Sequence, residues 1–359
     1  MELIKTFLPI IVALVSFQIS ALIYPLIIKR SYKKNFFKKS NHRTTHKGNI
    51  STLGGIGIFV GFFVAMNMAI YVHYADLDIT TKLYALLFPL LVVFFLGVWD
   101  DLTELKARDK LLLEVLAAIC LLILNQDIIV SNLGGIMGIG EINEYLSYFL
   151  CMILIFVLIN SVNLLDGIDG LVGGYMSVTA VWMFLIYFSI GLKGGQIITA
   201  SVLGALVLYL YYNMFHERKL FMGDSGSLVL GLLLVYFALD LLNLIQSNEL
   251  PEFTHEFSWA YMLLALPIID TTRVVLIRFL SGNSITSADK NHIHHRYLSM
   301  GLNHQQATSI LLISTITLWI FGFLIMDYLG ALWHLITVFV ISIGLYLGPI
   351  VIYKPLKNL

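Results

Sequence analysis

The chain has 359 residues, 58% hydrophobic and 12% charged, with a mean hydropathy of +0.86. A water-soluble fold of that length cannot hide so much apolar surface, so part of it must face lipid. The formal charge of zero excludes a basic nucleic-acid footprint. The only cysteines, Cys120 and Cys151, sit in apolar runs as small hydrophobes, which excludes a disulfide or cysteine-based metal framework.

Apolar runs long enough to cross a ~30 Å hydrocarbon core fall near 6–28, 53–73, 83–98, 111–124, 146–165, 171–190, 197–215, 225–247, 258–280, 305–327 and 331–353. They predict an all-α, polytopic membrane bundle of about 11 spans, or about 10 if the short run 111–124 does not cross. The first run lacks the small-x-small exit of a cleavable signal and reads as an anchor. Odd parity places the N-terminus outside and the C-terminus in the cytosol. Charge agrees with that topology. Of the 22 Lys and Arg, all but Lys5, Lys82 and Lys193 fall on the predicted inner side. The inner loops are expected at about 29–52, 99–110, 166–170, 216–224 and 281–304. The expectation is one transmembrane domain over 1–359, without a transporter-type repeat. The outer segment 125–145, with Gly134-Gly135 among alternating apolar residues, is expected to form a short hairpin.

Five polar stretches interrupt the apolar chain, and this topology gathers them on one face, as an active site built from distant loops requires. The first, 29–52, has eight Lys/Arg and no acid; orienting the chain and touching anionic headgroups accounts for most of it. Asp100-Asp101 then ends the third span, with Lys110 close enough to reach a phosphate. Adjacent carboxylates at a water boundary suit Mg²⁺–phosphate chemistry or proton abstraction; a solvated helix end is the plain alternative. Glu114, four residues past Lys110, is expected to pair with it.

In NSVNLLDGIDG, 160–170, Asn160 and Asn163 share a helix face, and Asp166 and Asp169 follow among glycines that let the backbone turn or approach a ligand. Such polar groups at a membrane boundary point to binding, with a hinge as the alternative. FMGDSGS, 221–227, opens the eighth span. Asp224 either caps that helix or stands beside free N–H groups that meet an anion, and Phe221 offers a flat face for a base. Asp270 and Arg273, one turn apart in the ninth span, are expected to neutralise each other. The cationic cluster DKNHIHHR, 289–296, lacks zinc spacing and any Cys; donors to a diphosphate or sugar fit it better.

Taken in order, STLGGI, GVWDDL with KLL downstream, NSVNLLDGIDGL, KLFMGDSGS, the D-T-T-R turn and DKNHIHHR resemble the polyprenyl-phosphate N-acetylhexosamine-1-phosphate transferase family, of glycosyltransferase 4 type. The likeness runs from about Lys47 to Gly301. The HIHH segment is most like the undecaprenyl-phosphate N-acetylglucosaminyl-1-phosphate transferase branch. Two departures stand out: Glu114 replaces a common Gln, and the connection from Asn213 to Phe221 is a residue longer than usual and lacks a Pro-Ala.

The resemblance implies attack by undecaprenyl phosphate on the β-phosphorus of a UDP-N-acetylhexosamine, giving UMP and a lipid-diphosphate-sugar that starts cell-surface polysaccharide assembly. It implies a site on the cytosolic face of the cytoplasmic (inner) membrane, and Mg²⁺, with Mn²⁺ as a substitute, held by Asp224 with help from Asn163. Asp100 and Asp101 would orient or deprotonate the acceptor, Lys110 would neutralise the diphosphate, and Asp166 would support the constellation. Asp169 and Phe221 would hold the uracil. Lys47, His292, His294, His295 and Arg296 would contact diphosphate and sugar. The partners implied are the UDP-sugar, undecaprenyl phosphate and membrane lipid, without nucleic acid; a homodimer is admitted. Rival readings are a multi-pass transporter or flippase and the phospho-MurNAc-pentapeptide translocase activity of the same family. A prenyl-transferring or CDP-alcohol enzyme would leave FMGD and HIHH unexplained. A transporter predicts polar groups near the bilayer midplane.

Overall fold

The computed structural model describes residues 2–34, 50–103, 105–135, 138–282 and 291–352. Helices carry nearly all of them: α1 (Glu2–Lys34), α2 (Gly54–Val72), α3 (Leu77–Thr103), α4 (Ala107–Leu124), α5 (Glu144–Leu165), α6 (Leu171–Ser189), α7 (Lys193–Leu210), α8 (Asp224–Gln246), α9 (Glu256–Leu280), α10 (Ile293–Ser299), α11 (His304–Ile325) and α12 (Ala331–Ile352). Among the described residues, ten helices are long and apolar enough to cross a membrane, as a multi-pass protein requires. The predicted run that drops out is α4, whose 18 residues include Arg108, Asp109, Lys110 and Glu114.

Local chemistry sets several boundaries. Asp76 opens α3 by accepting the Ile79 N–H at 3.2 Å, and Asn143 opens α5 by accepting that of Tyr145 at 2.9 Å. Asn303 and Gln306 form a reciprocal capping box at the start of α11. The end of α7 widens into a π-helical turn, Tyr211–Phe215. Such a turn takes up one more residue than an α-turn. Buried Asn213 closes it by donating to the Leu220 carbonyl at 2.8 Å. In the expected outer hairpin, Asn132 and Glu141 form an antiparallel bridge flanked by Leu133 N–H to Gly140 O at 2.9 Å and Ile142 N–H to Ser131 O at 2.8 Å.

The chain divides into two compact units. In the first, Met1–Gln126 with Val172–Leu233, α1 packs on α2 and α7, α2 on α3 and α7, and α3 on α4. Phe59 of α2 stacks on Phe94 of α3 at 4.0 Å, and Ser20 of α1 donates to the Gly57 carbonyl at 2.9 Å. The first turn of α8 is pressed between two glycines. A Cβ on Gly97 of α3 would lie 2.5 Å from Asp224 O, Ser225 N and Ser225 Cα, and one on Gly55 of α2 would collide with Gly226 N. Backbones this close tolerate no side chain between them.

In the second unit, Asp127–Leu171 with Leu234–Leu359, α9 packs on α5, α11 and α12, while the short α10 rests on α11 and α12. Polar groups inside it are tied locally. Trp319 Nε1 donates to Met262 O at 2.9 Å, and Tyr297 OH donates to Tyr346 O at 3.2 Å. The most apolar stretch of α8 is 89% buried and that of α12 only 17%. An apolar helix left so open, with backbone bonds satisfied internally, is suited to lipid rather than water.

Candidate active site

In the first unit, two sequence motifs zip together. Ser51 and Leu220 form a parallel bridge, Phe221 N–H donates to Ser51 O at 2.8 Å, Gly54 N–H to Phe221 O at 2.9 Å, and Gly55 N–H to Met222 O at 2.8 Å. STLGGI thus holds the strand-like approach to FMGD, and half-buried Phe221 is fixed by its backbone. Gly223 then turns with φ +70°, a left-handed conformation that favours glycine, and delivers Asp224 to the start of α8.

Asp101 caps that start from another helix. One carboxylate oxygen accepts the Asp224 N–H at 2.9 Å and the other the Ser225 N–H at 3.0 Å. Its negative charge lies at the positive dipole end of α8, on N–H groups that have no carbonyl partner within the helix. Asp100, its neighbour, accepts the Leu105 N–H at 2.8 Å and the Lys110 ammonium at 2.9 Å. The same ammonium bonds Asp224. Lys110, expected to pair with Glu114, therefore joins two carboxylates from α3 and α8; Glu114 itself is buried. Asp100, Asp101, Lys110 and Asp224 form one bonded cluster.

In the second unit, the 160–170 motif ends α5 and turns. Asn160 Nδ2 donates back to Phe156 O at 3.0 Å, Asn163 lies in the last turn, and Asp166 is the C-terminal cap, its N–H on Asn163 O at 3.3 Å. Asp169 is buried; its N–H donates to His304 Nδ1 at 3.2 Å and its carbonyl accepts Thr308 Oγ1 at 2.8 Å. Gly167 lies against the His294 ring so closely that any Cβ there would collide with Nε2. His292 and His294 stack at 5.6 Å with rings 9° from parallel, and His295 lies 4.3 Å from His294. His295 is half-buried and Arg296 exposed. Lys47, like Asp289 and Lys290, lies outside the described residues.

Two expectations are corrected by these contacts. Asp270 does not neutralise Arg273: its carboxylate is bonded by the His292 ring and the Ile293 N–H, while Arg273 donates to the Asn291 carbonyl. Nor is the histidine segment a uniformly cationic loop. It folds as α10, and His294 is 1% exposed. Burial pushes the His294 imidazole down to about 3, against the opposing pull of Asp270. Its ring is neutral at physiological pH.

That shift has a signed consequence. A histidine whose folded value lies below its unfolded one supports stability fully above about pH 6.5, and that support is lost as pH falls toward the folded value. The melting midpoint should therefore drop between about pH 7 and about pH 5, and His294→Gln should flatten the drop. An identical slope in the variant would remove His294 as its source.

His304 and Thr308 lie outside the motifs read from the sequence, and Ser51 and Gly97 stand there only as members of STLGGI and GVWDDL, because the roles of all four depend on partners far along the chain. Among the described residues, no group of three or more His, Cys, Asp or Glu side chains is arranged to hold a metal ion. The convergence of Asp100 and Asp224 on one ammonium nevertheless suits Mg²⁺, which binds one or two carboxylates and completes its shell with water and substrate phosphate.

Comparison with known proteins agrees with the motif order. Residues 83–242 match the model of glycosyl transferase family 4. The chain is 29% identical over 308 residues to a probable undecaprenyl-phosphate N-acetylglucosaminyl 1-phosphate transferase of Bacillus subtilis, covering 84% of this chain and 81% of that protein. It is 26% identical over 326 residues to the undecaprenyl-phosphate alpha-N-acetylglucosaminyl 1-phosphate transferase of Escherichia coli K12, covering 89% and 84%. A decaprenyl-phosphate N-acetylglucosaminephosphotransferase of Mycolicibacterium smegmatis is 29% identical over 293 residues, covering 75% and 70%. Over residues 83–242, then, the chain is similar to glycosyl transferase family 4, and over most of its length to these phosphosugar transferases.

Proposed function

We propose that this protein transfers N-acetylglucosamine 1-phosphate, or a related N-acetylhexosamine 1-phosphate, from its UDP-sugar to undecaprenyl phosphate at the cytosolic face of the inner membrane. The products are UMP and the lipid-diphosphate-sugar that begins a cell-surface polysaccharide. The observation that carries this reading is the Lys110 ammonium bonded by both Asp100 and Asp224 at the start of α8. A reaction between two anions needs fixed cationic charge; Lys110 contributes one, and the three carboxylates around it leave a net negative site whose charge a divalent ion would balance. The names of the relatives and the order of the motifs support the same chemistry.

In the proposed step, an oxygen of the lipid phosphate attacks the β-phosphorus of the UDP-sugar, and the bond from that phosphorus to the oxygen bridging it to the α-phosphorus breaks. UMP departs with the α-phosphate. Mg²⁺, when bound at Asp224, would offset charge on the diphosphate oxygens. Lys110 neutralises the diphosphate and keeps the carboxylates of Asp100 and Asp224 from repelling each other. Asp101 fixes the α8 start on which Asp224 stands. A phosphate monoester is largely ionised at neutral pH, so the acceptor needs no strong base. Asp100 is accordingly a charge partner of Lys110.

The test is UMP release by purified protein in lipid nanodiscs, across a panel of UDP-sugars. UDP-N-acetylglucosamine with undecaprenyl phosphate and Mg²⁺ should release UMP, and chelation should stop it. No release with any UDP-N-acetylhexosamine would refute the reading.

A further inference from the structure

Asp270 lies within α9 with 0% exposure, and both its carboxylate oxygens are used. Oδ2 accepts from His292 Nδ1 at 2.7 Å and Oδ1 from the Ile293 N–H at 2.6 Å. One turn along α9, Arg273 donates to the Asn291 carbonyl, and the Asn291 side-chain oxygen takes Arg296 at 2.9 Å. α9 thus grips residues 291, 292 and 293 in succession, where α10 begins. A helix of seven residues has little stability of its own, and His292 at its N-cap makes no side-chain capping bond. Asp270 supplies the missing acceptor from another helix.

We infer that Asp270 is a positioning residue for the histidine segment: it fixes the ring and Nδ1–H tautomer of His292 and the starting point of α10. Through them it sets where His295 and Arg296 stand. A carboxylate only accepts, so a bond from His292 Nδ1 requires the proton on that nitrogen and directs Nε2 to the opposite edge of the ring. Burying a carboxylate is costly without such bonds, and a hydrophobic residue would fill this place in α9 more cheaply. The inference rests on the transferase reading, in which this segment contacts the diphosphate and sugar.

Asp270→Asn separates positioning from bulk. The amide matches the carboxylate in size but has one acceptor oxygen, so it serves Ile293 N–H and presents N–H to His292, reversing the ring tautomer. The kcat/KM for the UDP-sugar should fall about tenfold to a hundredfold, while KM for undecaprenyl phosphate stays within about twofold. Equal losses toward both substrates, or no loss, would overturn the inference. In a His292→Gln background the same change should cost less than about threefold; a full additive loss would also overturn it.

A measurement without catalysis stands beside these. In ¹⁵N-histidine-labelled wild type, the His292 resonance, assigned by its loss in His292→Gln, should show a protonated Nδ1. A bare Nδ1 would sink the inference even if Asp270→Asn fails to fold. Should the wild type turn over no UDP-sugar, the transferase reading fails, and this spectrum still decides whether Asp270 holds His292.

Discussion

Asp224→Asn should lower turnover about a hundredfold or more while leaving the protein folded. The substitution preserves side-chain size and the ability to begin a helix. The backbone N–H at position 224 keeps its bond to Asp101, and Gly223 still makes the left-handed turn. What disappears is one of the two carboxylates on Lys110, the one proposed to bind a divalent ion. UMP release at saturating Mg²⁺, with the melting midpoint as control, separates loss of chemistry from loss of fold. A near-normal rate in a folded variant would remove Asp224 from the cation site.

Gly97→Val should be at least as damaging, by a different route. The contacts that a Cβ would meet there are backbone atoms of Asp224 and Ser225, which cannot rotate away as a side chain can. α3 must then separate from the first turn of α8, and Asp101, one turn along α3, is carried off the N–H groups it caps. Misplacing a reacting group by about 1 Å can cost about a hundredfold. The expected result is a loss of that size with a lowered melting midpoint, and Gly97→Ala should fall between wild type and valine. Unchanged activity and stability in Gly97→Val would mean that the helices do not meet at this point.

The sequence made the helices legible because lipid-spanning runs are long and their hydropathy is strong. It was least informative where an element depends on a distant partner. The predicted third span, 83–98, is in fact the middle of a helix from Leu77 to Thr103, so Asp100 and Asp101 stand on its last turn rather than in a loop. The 111–124 run becomes a helix, but Lys110 in its first turn bonds carboxylates ten and 114 residues away in sequence. α10 falls within the loop expected over 281–304; the acceptor at its start is Asp270, 23 residues upstream of Ile293. Helical spacing made Arg273 the obvious neighbour of Asp270, and the tertiary fold gave that carboxylate better partners. Spacing rules capture local competition, and both corrections arise where a long-range bond prevails.

The most direct measurement of the central claim follows two labels from one donor: UDP-N-acetylglucosamine carrying ³²P at the β-position and ³H in the sugar, incubated with undecaprenyl phosphate and the purified protein. Both labels should pass together into the organic phase, in equal molar amounts, as unlabelled UMP appears in water. Sugar label in the lipid with ³²P retained on a water-soluble nucleotide would mean that a glycosyl group moves without its phosphate, and would contradict phosphosugar transfer by this protein.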